Sequence, residues 1–176
     1  MSETTKKHKA EAPKKLRLAI FTCSTSRYNQ IIKGGIIQDP SGDIIESMLR
    51  KARHTVLLRR IISDDPNMIA EGIKEVKSRE DLDAVIFCGG TGITPSDVTI
   101  ETVTPLLDKT LPGFGEIFRR LSYDEIGSAA ILSRATAGIT KGKAIFCVPG
   151  SPNAVQLCLS KLILPEVGHL IKHARE

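Results

Sequence analysis

The sequence of 176 residues contains no tryptophan, and aromatic residues make up only 4% of it. A nucleic-acid-binding face usually places aromatic side chains among basic ones, so this scarcity argues against a nucleic-acid partner. Long apolar runs are also missing: no stretch approaches the roughly 20 residues of a membrane-spanning helix. The first residues are too polar for a secretory signal. These absences predict a cytoplasmic protein with no membrane or nucleic-acid partner.

Cysteine is scarce, and its four occurrences form no CxxC pair, which argues against a zinc site or a disulfide framework. Most of them fall in or just beyond apolar runs, where cysteine is usually a small buried hydrophobe. Asparagine and glutamine number only three each, which fits a thermophilic source. In such an organism an intracellular disulfide stays open as an alternative for Cys23, Cys88, Cys147 and Cys158.

The positive charge is concentrated at the amino terminus. Five lysines against two glutamates in residues 1–15 account for most of the net charge of +5. This polar, lysine-rich stretch predicts a disordered tail. The rest has the composition of a globular protein, and its length predicts a single domain over residues 16–174.

Apolar, β-branched runs alternate with segments of helical periodicity along the chain. Such alternation predicts a mostly parallel sheet covered by helices on both faces, a Rossmann-like α/β fold. Because the carboxyl ends of parallel strands share one edge, we expect the loops that follow them to meet there. The predicted strands are residues 16–22, 55–62, 84–88 and 144–148.

The strand at 84–88 stops at Gly89, Gly90, Thr91 and Gly92, and a carboxylate, Asp97, follows shortly before Thr99. Three glycines in four residues let backbone N–H groups approach a ligand closely, and such loops before helices attract phosphate. A carboxylate in that place would repel phosphate unless a cation lay between them. The loop therefore indicates a magnesium–phosphate site.

Neither of the two common nucleotide-binding patterns fits this loop. The third glycine of the dinucleotide pattern would fall at Pro95. The Walker pattern needs four residues between its glycines, whereas Gly138 and Gly142 enclose three. A purely structural turn stays open as an alternative, but Asp97 and Thr99 favour a functional loop.

Further candidates follow other predicted strands. Asp64 ends the second strand beside Asp65, and one of the two caps the next helix. Arginine suits an anionic ligand, which makes Ser133-Arg134 a second candidate pair. A strand-to-helix turn with free N–H groups offers a third anion site, formed by Pro149, Gly150, Ser151 and Asn153.

His169 and His173 lie four residues apart, on one face of the predicted last helix. Two histidines at this spacing can share a metal ion. Because no third ligand is evident in the sequence, solvated surface histidines are the favoured interpretation.

Taken together, these segments resemble the molybdenum cofactor biosynthesis family of the MoaB/Mog type. The matching pieces occur in order over residues 16–172 and make a specific signature. They are Asp64-Asp65, Gly89-Gly90-Thr91-Gly92 with Pro95, Asp97, Val98 and Thr99, Pro112-Gly113-Phe114-Gly115-Glu116, Leu132-Ser133-Arg134, Ala137-Gly138-Ile139 and Pro149-Gly150-Ser151-Pro152-Asn153-Ala154.

The resemblance implies a three-layer α/β/α sandwich and an enzyme, molybdopterin adenylyltransferase, that uses Mg-ATP and molybdopterin and releases pyrophosphate. It implies that Asp64 and Asp97 take the acidic catalytic positions and bind Mg²⁺. It further implies a homotrimer or a hexamer of two trimers, and hand-off to a separate molybdate-insertion protein. Substrate binding would involve Gly89, Gly90, Thr91, Gly92, Thr99, Ser133, Arg134, Pro149, Gly150, Ser151 and Asn153.

The sequence departs from the family pattern at two positions. Many relatives have arginine where this chain has Ser96, so a phosphate-binding charge is either missing or supplied by Arg134 or Lys141. Some active relatives have asparagine where Cys147 stands. The alternative function is therefore a catalytically silent molybdopterin-binding or scaffolding homologue of the same pathway.

Overall fold

The computed structural model describes residues 12–176. The predicted tail falls mainly on residues 1–11, outside the described part. The strands are β1 Arg17–Cys23, β2 Thr55–Ile62, β3 Ala84–Cys88, β4 Lys109–Thr110, β5 Thr136–Thr140 and β6 Lys143–Val148. The helices are α1 Thr25–Ile32, α2 Pro40–Lys51, α3 Pro66–Ser78, α4 Thr99–Val103, α5 Pro112–Ile126, α6 Pro152–Cys158 and α7 Leu164–Arg175.

The strands form one sheet of six in the order β2-β1-β3-β6-β5-β4. The first four run parallel, whereas β5 and β4 add antiparallel pairs beyond β6. The mostly parallel sheet is thereby confirmed. The antiparallel edge arises because a short turn, too short for a crossover helix, joins β5 to β6.

Helices cover both faces of the sheet, each over its own apolar core, which confirms the three-layer α/β/α sandwich. Alternate residues of the central strands point to opposite faces: Ile20 and Ile86 enter the core under α2, α5 and the last helix, whereas Phe21 and Phe87 enter the core under α3. The two phenylalanine rings stack at 5.1 Å between centroids. Strands buried on both faces read as continuous apolar runs, which is why the sequence revealed them.

Three helices start with the same arrangement, an acidic or hydroxyl cap followed by proline. Asp39 caps α2, Asp65 caps α3 and Ser151 caps α6. All three starts lie at the carboxyl ends of the parallel strands, so their free N–H groups face the edge where the sequence predicted a site.

The last helix is continuous from Pro152 to Arg175, with a π-helical turn at Leu159–Ile163 between α6 and α7. The wide turn precedes Pro165, which lacks the N–H that a regular helix would donate to residue 161. By length and composition alone this helix could cross a membrane, a test that a buried core helix also passes. The sequence had suggested no such stretch. Its apolar residues, including Val155, Ile163 and Val167, pack in the core.

Candidate functional site

A cavity of about 700 Å³ opens at the carboxyl ends of β1, β2, β3 and β6. It gathers segments that are far apart in sequence, and it contains all but one of the predicted site residues. Those that line it are Asp64, Gly89, Gly90, Thr91, Gly92, Asp97, Ser133, Arg134, Pro149, Gly150, Ser151 and Asn153.

The glycine loop is held in a form that side chains would prevent. Gly89 and Gly90 have φ angles of 105° and 61°, in the left-handed region that favours glycine. A Cβ atom on Gly89 would lie 2.4 Å from the carbonyl oxygen of Cys23, and one on Gly90 would lie 2.7 Å from Asp64 Oδ1. The N–H groups of Gly90 and Thr91 donate no hydrogen bond to any residue that the structure describes. They are therefore available to an anion in the cavity.

Thr99, the remaining predicted residue, supports the loop from beneath. Its side chain is fully buried, and its hydroxyl donates to the Gly89 carbonyl at 2.9 Å while its N–H donates to the Gly90 carbonyl at 2.9 Å. It does not line the cavity, in contrast to the ligand contact expected from the sequence. The position of Thr99 after the loop therefore allows it to stabilise the shape of the loop.

Asp64 reaches the cavity from the end of β2 and is fixed by the start of α1. Its Oδ2 accepts hydrogen bonds from Thr25, through the N–H at 2.8 Å and the hydroxyl at 2.9 Å. Its Oδ1 lies on the side of Gly90. The neighbouring Asp65 caps α3 through the N–H groups of Asn67 and Met68. Asp65 is therefore the helix cap, whereas Asp64 lines the cavity.

Asp97 is oriented by a short turn of its own. Thr94 donates to its Oδ2 from the hydroxyl at 2.6 Å and from the N–H at 2.9 Å. The hydroxyl of Thr94, followed by its N–H and that of Gly92, holds the pKa of Asp97 below its usual value against the opposing effect of burial. Asp97 is consequently a carboxylate at neutral pH. A Cβ atom on Gly92 would lie 2.7 Å from Asp97 Oδ2, so the glycine makes room for it.

Arg134 closes the loop by bridging it to α4. Its Nε donates to the carbonyl of Thr91 at 2.9 Å, and its Nη1 pairs with Glu101 at 2.7 Å. This contact lowers the pKa of Glu101. Arg134 thus holds the glycine loop in place while one side of it lines the cavity.

The opposite wall comes from the turn after β6 and from α5. Ser41 at the start of α2 donates to the Gly150 carbonyl at 2.7 Å, which fixes the turn. The far side of the cavity is lined by four residues of α5 and by Leu132 beyond it; the four are Phe118, Ser122, Glu125 and Ile126. The candidate residues predicted from the sequence do not include this wall. Pro112 is the first residue of its 15-residue helix, where proline is readily accommodated.

Thr25 and Thr94 were missed as well. Both lie in loop-like sequence, and only the fold shows that they orient Asp64 and Asp97. The signal for Thr94 was present, because a threonine three residues before an aspartate is a common local turn. No comparable signal existed for Thr25, which is 39 residues from Asp64.

The two departures from the family pattern have different consequences. Ser96 lines the cavity beside Asp97, so the chain presents a hydroxyl there. Cys147 is fully buried under α3 and α4 and does not line the cavity. Lys141 lies in the turn before β6, at the opposite end of that strand from the cavity. It cannot supply the missing charge.

The four cysteines are free and buried, which agrees with the prediction and leaves no disulfide. Cys23 borders the cavity, but burial raises its pKa to about 12. Its thiol is therefore protonated at neutral pH and is a poor nucleophile.

Asp64 and Asp97 have the donor chemistry that Mg²⁺ prefers, since this ion takes oxygen ligands and is commonly held by one or two carboxylates together with substrate phosphates. Hydrogen bonds from the chain fix Oδ2 of each carboxylate. The available N–H groups of Gly90 and Thr91 lie between them in the loop. The residues thus fit a magnesium ion that is completed by a phosphate, whereas no described group of three or more protein ligands could hold a metal alone.

The fold and the cavity define an α/β protein with a cavity at the carboxyl ends of its parallel strands, lined by groups that suit a phosphorylated ligand. The chain belongs to the family described as "Probable molybdopterin binding domain", whose model matches residues 19–169.

Relatives of similar length cover nearly the whole chain. The Molybdenum cofactor biosynthesis protein B of Bacillus subtilis is 45% identical over 170 residues, 96% of each chain. The "Probable molybdopterin adenylyltransferase" of Methanocaldococcus jannaschii is 44% identical over 163 residues, 93% of this chain and 96% of the relative. A crystal structure titled Molybdenum cofactor biosynthesis protein B superposes with a TM-score of 0.85 at 44% identity, covering 94% of this chain and 99% of the other.

Proposed function

We propose that this protein is a molybdopterin adenylyltransferase of molybdenum cofactor biosynthesis. It would transfer AMP from ATP to the terminal phosphate of molybdopterin and release pyrophosphate. The observation that carries the proposal is the pair of available N–H groups, Gly90 and Thr91, in a loop flanked by two oriented carboxylates. The names of relatives more than 40% identical support the same activity.

The reaction demands positioning and charge neutralisation more than covalent catalysis. An oxygen of the pterin phosphate attacks the α-phosphorus of ATP, and the bond from that phosphorus to the bridging oxygen of pyrophosphate breaks. No protein nucleophile is needed. This agrees with a cavity whose cysteine, Cys23, is held protonated by burial.

In this proposal Asp64 and Asp97 would hold Mg²⁺, and the ion would supply positive charge that offsets the charge of the phosphates. Thr25 and Thr94 keep the two carboxylates in position. The glycine loop binds a phosphate group through its N–H groups, and Arg134 acts as a positioning residue through Thr91. Ser133, with the turn from Pro149 to Asn153 and the wall of α5, would receive the pterin.

A catalytically silent homologue is not favoured. Such a protein would need the pterin-binding wall but no paired, oriented carboxylates. Here both Asp64 and Asp97 line the cavity, and each is fixed by a threonine.

The test is pyrophosphate release by the purified protein with molybdopterin and Mg-ATP. We expect turnover by the wild type and its loss in Asp97→Asn, which keeps the shape of the side chain but removes its charge. Asp124→Asn is the matched control, since Asp124 pairs with Arg120 on the exposed side of α5. If well-folded wild-type protein binds molybdopterin but releases no pyrophosphate, the proposed adenylyltransferase activity is refuted.

We further propose a homotrimer or a hexamer. Several apolar side chains of α5 and the following turn are exposed in the single chain, among them Ile117, Tyr123, Ile131 and Leu132, and association would cover them. Light scattering of the untagged protein measures the number of chains, and a monomer would refute this part. Cytoplasmic location and hand-off to a molybdate-insertion protein stay predictions from the sequence.

A further inference from the structure

His169 and His173 face one another on α7, at the end of the sheet opposite the cavity. Their Nε2 atoms are 3.0 Å apart, and the ring centroids are 4.7 Å apart in an edge-to-face arrangement. Both rings border a second cavity of about 580 Å³ beside the turn at Gly142. The side chains are 22% and 46% exposed. The rings are therefore ordered against each other yet open to solvent ions.

The outer nitrogen of each ring meets a carboxylate. Nδ1 of His169 lies 3.1 Å from Glu166 Oε2, and Nδ1 of His173 lies 2.9 Å from Glu176 Oε2. An ionised carboxylate only accepts hydrogen bonds, so each Nδ1 must carry the proton. A neutral imidazole has one N–H, which leaves a lone pair on each Nε2. The two Nε2 atoms thus face each other as potential metal ligands.

We propose that His169 and His173 form a binding site for a divalent transition-metal ion such as Zn²⁺ or Ni²⁺, with the two Nε2 atoms as ligands. Neutral imidazole suits these ions. Carboxylates on the outer nitrogens are the usual partners of metal-binding histidines, because they fix the tautomer and the ring orientation. The last turns of a helix also favour a positive charge.

This site is distinct from the magnesium site proposed in the cavity. Its ligands are nitrogens, whereas Mg²⁺ prefers oxygen. Among residues 12–176 no third histidine, cysteine, aspartate or glutamate joins the pair. The open coordination predicts a modest affinity.

Isothermal titration of the untagged full chain with ZnCl₂, in the presence of excess Mg²⁺, tests the proposal. We expect one zinc ion per chain and a raised melting temperature. His169→Ala and His173→Ala should each abolish this binding. Glu166→Gln keeps a hydrogen-bond acceptor for Nδ1 of His169 but removes the negative charge. This change should lower the zinc affinity about tenfold or more. Asp97→Ala is the matched control, and it should bind zinc as the wild type does.

Zinc affinity that is unchanged in both histidine variants would overturn the proposal, as would loss of binding in Asp97→Ala. The competing arrangement is a proton shared between the rings. Nitrogen-15 spectra of His169 and His173 distinguish the two: zinc should shift both Nε2 signals. Signals that saturating zinc leaves unchanged would mean that a proton is the only cation at the pair, and would also refute the metal site.

Discussion

At the scale of single residues, the cavity depends on glycines, which have no side chain. Gly90 sits where a methyl group would press on the Thr99 hydroxyl at 2.4 Å and on Asp64 at 2.7 Å. The first contact belongs to the hydrogen bond that shapes the loop, and the second belongs to a proposed magnesium ligand. A methyl group on Gly90 would therefore disturb both the hydrogen bond from Thr99 and the position of Asp64.

Gly90→Ala should destabilise the fold by about 1–3 kcal/mol, because a side chain would be forced into a left-handed conformation, and it should abolish pyrophosphate release. Gly113→Ala is the control. A Cβ there meets nothing within 4 Å, in the first turn of α5, and we expect neutral or slightly raised stability with full activity. Urea unfolding and the turnover assay measure both. Equal effects of the two substitutions would contradict the role given to Gly90.

Arg134 poses a second question at this scale, since an arginine in a phosphate cavity can bind ligand or hold the loop. Its contacts with Thr91 and Glu101 favour the second role. If Arg134 acts by way of Glu101, then Glu101→Gln and Arg134→Met should raise the KM for ATP similarly. The double variant should have no higher KM than either single variant, because the effects of residues in one network do not add. Additive losses, or an active Glu101→Gln, would assign Arg134 to ligand binding instead.

At the scale of elements, α2 is attached to the edge of the sheet through one side chain of β2. Arg59 contacts Asp39, Asp43 and Glu46 at 2.7–3.0 Å. Asp39 is almost fully buried and also accepts from the Thr22 hydroxyl. Because Ser41 at the start of α2 fixes the turn at Gly150, this attachment also positions one wall of the cavity.

Arg59→Met should cost about 3 kcal/mol of stability, since it leaves the buried carboxylate of Asp39 without its cation. Arg60→Met, one residue along the same strand, is the matched control. Its partner Glu75 is part of an exposed pair, and such pairs contribute about 0–1 kcal/mol. Denaturant unfolding of the two variants measures the difference. Similar losses would mean that the attachment of α2 does not depend on Arg59.

At the scale of the whole molecule, the end of the sheet away from the cavity is closed by Asp83. This buried carboxylate precedes β3 and accepts hydrogen bonds from the N–H of Arg17 at 2.7 Å and from Arg175 at 2.8 Å. It thereby joins the starts of two strands to the end of the last helix. Burial acts to raise its pKa, but the donors from Arg17 and Arg175 outweigh that effect and hold the pKa below its usual value.

Stability gained from Asp83 should be fully present above the ordinary aspartate pKa of 3.8 and should be lost as the pH falls through the lower pKa of the folded state. Asp83→Asn should therefore be less stable than the wild type at neutral pH, with a shallower further loss on acidification. Urea midpoints across this pH range measure both slopes. Parallel curves for the two proteins would show that Asp83 does not contribute in this way.

How far the sequence predicted this molecule depends on the distance over which each feature is determined. The parallel strands and the cap at Asp64 or Asp65 follow from neighbouring residues, and they were predicted within a residue or two. Other features depend on partners far along the chain. The bond from Thr25 to Asp64 spans 39 residues and the pair of Arg134 with Glu101 spans 33, so no local pattern could reveal them.

Gly89 directly follows β3, donates its N–H to the carbonyl of Val148 at the end of β6, and packs against the carbonyl of Cys23 at the end of β1. Three strands of the sheet thus meet at one peptide, directly under the proposed phosphate site. A nucleotide bound there would restrain all three strand ends at once. We expect ATP with Mg²⁺ to slow amide hydrogen exchange in β1, β3 and β6 together while leaving exchange in β4 unchanged. Binding in the cavity would then be detected as slower exchange at the centre of the sheet.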